Sequence, residues 1–259
     1  MERVVMSGVK DKVVILTGGA GDIARVVAAK LLDGGAKVLL VDRDADRLAG
    51  FCDSLGSPAI AYCVADVTSE ADTAAYVKAA LENFGAIDVL LANAGIEGQV
   101  APVADYDTKV FRQVLEVNVT GPFLGIKAVY PHMLANGGGS IIITSSIAGL
   151  RGNSGLSAYN ASKHAVIGLM RSVAAEGGPH NIRVNTINPS PVEGRMIRSL
   201  EEGNMPDAPD AIRELLQASI PLGRYAMPTD VANLMLFLAS EESSFLSGSV
   251  YSVDGGMNA

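Results

Sequence analysis

The sequence predicts one α/β domain, a doubly wound parallel sheet with helices on both faces, and three observations carry that expectation. Short β-branched or leucine-rich runs alternate with helical patterns along almost the whole chain, the signature of βαβ units. A glycine-rich turn, TGGAG, follows the first run and opens the first helical pattern. A carboxylate, Asp42, ends the second run in VLLVDRD.

In chain order, the run Lys12–Thr17 leads through the glycine turn into a helix over Asp22–Asp33. Strand Lys37–Asp42 precedes helix Asp44–Ser54, and strand Ala59–Val64 precedes helix Glu70–Asn83. Val89–Ala92 follows as a strand, and one long helical pattern covers Thr108–Leu134. Within it Pro122 has no N–H to give to the Asn118 carbonyl, which predicts a local kink. Strand Ser140–Thr144, helix Ala158–Glu176 and strand Arg183–Ile187 continue the alternation, and Thr229–Ala239 with Val250–Val253 closes it. The apolar runs are continuous, as strands buried on both faces require. One stretch, Pro191 to Gln217, breaks the rhythm: it is long, proline-punctuated and rich in charge and Met. Following a strand end where ligands of such sheets bind, it reads as a substrate lid.

Composition excludes several classes. The 259 residues carry a formal net charge of −8 and no basic run, so binding nucleic acid by neutralising phosphates is not expected. The N-terminal residues lack the basic-then-apolar pattern of a signal peptide. No apolar run approaches the ~20 residues of a membrane span. Cys52 and Cys63 match no disulfide or zinc spacing and read as free thiols. The expectation is a soluble, cytoplasmic protein that binds no metal: its three histidines form neither a hydrolase set nor a ligand cluster.

The glycine turn suits a dinucleotide. Gly18 permits the tight turn, Gly19 and Gly21 leave the backbone approachable, and the helix beginning at Asp22 and Ile23 offers an anion its N-terminal N–H groups. Asp42 is placed to accept bonds from the adenosine ribose and to repel a 2′-phosphate, which favours NAD over NADP. Its neighbour Arg43 reads as a solvated charge.

The chemistry lies further on. Tyr159 and Lys163 are four apart on one helical pattern and project from one face. A lysine ammonium at ~4 Å favours a phenolate by up to about 4 kcal/mol at an effective dielectric of ~20, enough to bring the tyrosine towards a usable acid/base. Ser146 ends SIIITSS just past a strand, within reach of the ligand crevice.

The ordered set of Thr17-Gly18, NAG at Asn93–Gly95, Asn118, Ser146, YNASK at Tyr159–Lys163, NPSPV at Asn188–Val192 and VDGG near the end resembles the classical short-chain dehydrogenase/reductase family from about Lys12 onward. The resemblance implies a Rossmann-type sheet of order 3-2-1-4-5-6-7, a nicotinamide cofactor and a homotetramer. It makes Ser146, Tyr159, Lys163 and Asn118 the proton relay that interconverts a secondary alcohol and its ketone. Tyr159 takes the hydroxyl proton, Ser146 holds the oxygen, and Lys163 also binds the nicotinamide ribose. Asp66 and Val67 would contact the adenine; Asn93, Ala94 and Gly95 would shape the cofactor pocket, with Pro189 and Val192 beside the carboxamide.

Against the family's TGxxxGxG, Asp22 and Ala24 stand where glycines are usual, and Ser190 and Gly194 replace a usual Gly and Thr. Ala24 is small enough for helix–strand packing. Asp22 is expected to point outward, with NAD retained at weakened affinity. The substrate pocket is expected from Ser146, Ile147, Ala148, Arg151 to Leu156 including Asn153, Tyr159, Glu97, Gln99, Met196, Ile197 and Leu200, an apolar lining that suits a cyclic alcohol. Two further readings are an NADPH-type ketoreductase of acyl-thioesters, which Asp42 opposes, and a silent dinucleotide-binding regulator or scaffold.

Overall fold

A computed structural model describes residues 7–259. The strands are β1 (Val13–Thr17), β2 (Lys37–Asp42), β3 (Ile60–Val64), β4 (Val89–Ala92), β5 (Gly139–Thr144), β6 (Ile182–Pro189) and β7 (Val250–Val253). They form one sheet in the order β3-β2-β1-β4-β5-β6-β7, and every neighbouring pair is parallel. The order reverses between β1 and β4, which opens a crevice beyond their carboxyl ends.

Alternate residues of each strand feed opposite layers. Val14, Leu16, Val38, Leu40, Val89 and Leu91 pack into the layer of α1 (Asp22–Asp33), α2 (Ala45–Leu55) and α9 (Pro228–Ala239). Ile15, Leu39, Val41, Leu90, Ile141 and Ile143 face α3 (Glu70–Phe84), α5 (Gly121–Ala135) and α6 (Ser157–Gly177). Burial on both faces explains why these strands read as unbroken apolar runs.

Two expectations need correction. The long helix predicted over Thr108–Leu134 is α4 (Thr108–Leu115), a π-helical turn over Glu116–Thr120, and then α5. Pro122 has no N–H for a regular turn, and the wider turn bonds the Gly121 N–H to the Glu116 carbonyl instead. The stretch 191–217 is not an irregular loop either: it holds α7 (Arg195–Asn204) and all but the last residue of α8 (Pro209–Ala218). Pro209 starts α8 at a position where a missing N–H costs nothing.

Candidate active site

A cleft of about 1090 Å³ lies at the carboxyl ends of the strands. Its floor begins at the glycine turn. Gly18 takes a left-handed backbone (φ +69°), and an added Cβ would lie 2.9 Å from the Ala94 Cα; no larger residue fits there. Thr17, ending β1, accepts the Asn93 and Ala94 N–H groups on its hydroxyl at 3.0 and 3.1 Å. The Asn93 side chain donates to the Thr17 carbonyl and accepts from the Thr144 hydroxyl at 3.1 Å. It thereby ties the ends of β1, β4 and β5 together. Asp42 accepts the Ala20 N–H at 3.1 Å and the Asp44 N–H at 3.2 Å, which fixes a carboxylate beside the glycine turn. Arg43 is exposed at the rim. Asp66 accepts from the Thr68 N–H and hydroxyl, which holds its carboxyl below the usual range, with a smaller pull from Arg43.

The inner wall is built on β5 and α6. Ser146 follows β5, and its hydroxyl accepts the Ala148 N–H at 3.1 Å. Tyr159, on α6, lines the same wall, close enough for Ser146 to pull its phenol pKa down. Ser145 faces away and donates to the Lys163 carbonyl at 2.9 Å. One turn beyond Tyr159 on α6, the Lys163 ammonium donates to the Thr144 carbonyl at 2.8 Å and lies 5.5 Å from the centre of the Tyr159 ring.

The electrostatics differ from those the spacing suggests. Burial pushes the Tyr159 phenol up to about 12; Ser146 pulls the other way, and Glu97 adds to the rise. Burial pulls Lys163 down to about 8. The expectation that Lys163 lowers the phenol's pKa is therefore corrected: Lys163 is not among the groups that shift it. Its ammonium is anchored on a carbonyl, and desolvation governs both groups.

Asn118 is set apart from the rest. It is buried in the π turn, where its side chain accepts the Ile96 N–H at 2.8 Å and donates to the Ile96 carbonyl at 2.9 Å. It also donates to the Ser162 hydroxyl at 3.0 Å. Of the four residues expected to form the proton relay, Asn118 alone does not line the cleft. Gly18, Gly21, Asp22, Ile23, Asp42, Arg43, Asp66, Val67, Asn93, Ala94 and Gly95 line its cofactor side; Ser146, Ala148, Asn153, Tyr159, Lys163, Pro189, Val192 and Met196 line the rest.

Other expectations fare differently. Asp22 is exposed, and its carboxylate reaches across the mouth of the cleft to accept the Arg195 N–H at 3.0 Å. Glu97 and Gln99 do not line the cleft; Glu97 is buried and pairs with Arg195 at 3.5 Å. Sequence reasoning missed Ile212, Leu215 and Leu216 of α8, and Met257. The three-and-four spacing in DAIRELLQ was the available signal for the α8 face. Met257, near the C-terminus, packs beside Ile197, Ile220 and Tyr225.

The floor fits a dinucleotide on this chain's own features. Gly18 admits no side chain, α1 begins at Gly21 without a side-chain cap, and Asp42 waits at the end of β2. Among the described residues no helix is long and apolar enough to cross a membrane, and Cys52 and Cys63 are both free.

Comparison with known proteins agrees with this geometry. The family model described as enoyl-(acyl carrier protein) reductase matches residues 18–258. Levodione reductase of Leifsonia aquatica is 36% identical, over 96% of this chain and 95% of that protein. Trans-4-hydroxycyclohexanecarboxylate dehydrogenase of Sinomonas cyclohexanicum is 39% identical, over 98% and 96%. The crystal structure of an NAD+-bound xylitol dehydrogenase superposes with a TM-score of 0.90 at 32% identity, covering 95% of this chain and 99% of that one. Sheet order, site geometry and these relatives agree: the chain belongs to the short-chain dehydrogenase/reductase family, of the classical kind.

Proposed function

We propose that this protein is an NAD(H)-dependent oxidoreductase that interconverts a secondary alcohol, apolar or cyclic, with its ketone. The observation that carries the reading is the convergence of Ser146 and Tyr159 on the inner wall of one cleft, with Lys163 one helical turn away. Support also comes from relatives whose names state oxidation or reduction of small molecules, one of them a hydroxycyclohexanecarboxylate.

NAD, when bound, supplies the hydride acceptor or donor. Gly18, Gly21 and Ile23 would receive its diphosphate, Asp42 its adenosine ribose, and Asp66 and Val67 its adenine, with Arg43 at the rim. Asn93, Ala94, Gly95, Pro189 and Val192 would bound the nicotinamide end. The Asp42 carboxylate speaks for NAD over NADP, because it would repel a 2′-phosphate.

Ser146 holds the substrate oxygen by its hydroxyl, and Tyr159 exchanges the proton on that oxygen. With its phenol near 12, Tyr159 is protonated at neutral pH, and so it is ready to donate to a ketone. In alcohol oxidation Tyr159 must first release that proton, so oxidation gains with rising pH. Lys163 relays the proton and binds the nicotinamide ribose, and Asn118 sets the geometry behind it. Ala148, Asn153 and Met196 complete the substrate wall, under a lid formed by α7 and α8. We place the protein in the cytoplasm, where free Cys52 and Cys63 stay reduced, as a homotetramer.

Tyr159→Phe tests the assignment directly. It should cut turnover of a cyclic secondary alcohol by at least about 10²-fold, the range of a lost general acid/base, while calorimetric titration still detects NAD+ binding. Unchanged turnover would remove Tyr159 from the chemistry, and a wild type that binds NAD+ but turns over no alcohol would favour a scaffold.

A further inference from the structure

Asp22 joins two elements at the mouth of the cleft. Its Oδ2 accepts the Arg195 N–H at 3.0 Å across 173 positions of sequence, so the first residue of α1 caps the first residue of α7. Gly194, immediately before α7, has φ +149°, and an added Cβ there would collide with that same Oδ2. Only glycine lets the carboxylate in. The Arg195 side chain is held separately by Glu97, so the start of α7 is fixed at two points. Gly21, the N-cap of α1, supplies no side-chain cap, and it lines the cleft beside Asp22.

One negative charge therefore sits between the positive ends of two helices. The start of α1 is also where a doubly wound sheet receives a dinucleotide's diphosphate. Two anions then have a claim on one place.

We propose that Asp22 is a positioning residue that clasps α7 onto the glycine turn and weakens dinucleotide binding by competing for the same helix ends. The clasp makes movement of the α7–α8 lid and exchange of the cofactor a single event. The affinity half of this inference rests on the dinucleotide reading above; the clasp itself does not.

The experiment is amide hydrogen exchange at Arg195 in the cofactor-free chain, paired with calorimetric titration of NAD+, on wild type, Asp22→Asn, Asp22→Gly, Gly194→Ala and the double variant. Asp22→Gly should speed exchange at Arg195 by about tenfold, the worth of one hydrogen bond. Asp22→Asn keeps an acceptor and should keep the protection. Both should bind NAD+ about two- to fivefold more tightly, the scale of one charge at a helix end. Gly194→Ala should loosen Arg195 in the wild-type background and do so less once Asp22 is glycine. Unchanged exchange in Asp22→Gly overturns the clasp, and weaker NAD+ binding by Asp22→Asn overturns the competition. If wild type binds no NAD+, the dinucleotide reading falls together with the competition, and exchange at Arg195 still decides the clasp.

Discussion

Lys163 shows how one buried charge links chemistry to stability. It is almost fully buried, its ammonium meets the Thr144 carbonyl, and burial lowers its pKa from 10.5 to about 8. The unfolded chain keeps this proton up to about 10.5, whereas the folded chain gives it up near 8. Between those values unfolding takes up a proton, so the stability of wild type rises with pH; below 8 the folded state bears the full cost of a buried ammonium. Tyr159 acts in the opposite sense from pH 10 to about 12, because its folded pKa is raised, so the comparison ends at pH 10. Lys163→Met removes the titration. Urea unfolding should show wild type gaining about 3 kcal/mol on the variant between pH 8 and 10. A difference independent of pH would mean that Lys163 carries no depressed pKa. The Tyr–Lys spacing was legible in the sequence, but this sign was not, because four-residue spacing says nothing about desolvation.

Among the elements, the π turn between α4 and α5 shapes the site most. It swings Asn118 inward to satisfy both the N–H and the carbonyl of Ile96, in the strand-to-helix connection after β4. Asn118→Leu should leave both backbone groups without their partner and destabilise the chain by about 2–3 kcal/mol, read as a lower urea midpoint. Loss of activity with no loss of stability would instead make Asn118 a relay and not a brace. The sequence revealed the break through Pro122 but not its form, since a missing N–H is compatible with a kink as well as a wider turn. Strand positions were legible to within a residue or two because most runs are apolar or β-branched; β6, with Arg183, Asn185 and Asn188, is the exception. The helices α7 and α8 were obscured by the punctuation of Pro206 and Pro209, although α8 carries an apolar stripe at Ile212, Leu215 and Leu216. The turn of Asp22 towards Arg195 was beyond sequence reasoning altogether, because it depends on a contact between residues 173 positions apart.

At the scale of the whole molecule, the sheet ends in two edge strands, β3 and β7. An open strand edge beside apolar side chains is a surface that natural proteins cover. Phe245, five residues before β7, is fully exposed, and Leu222, whose N–H donates to the Gly255 carbonyl just past β7, is 71% exposed. A two-fold axis over this edge would bury each pair twice, once in each subunit, as isologous contacts do. The proposed homotetramer needs a second interface as well, so losing this one should leave a dimer. Phe245→Asp places a charge in the apolar contact and should convert tetramer to dimer in sedimentation velocity at micromolar concentration. The cleft is assembled from one chain, Met257 included, so the dimer should still bind NAD+ with the affinity of the wild type. A monomeric wild type, or a variant that sediments as wild type does, would show that the β7 edge is not where the subunits meet.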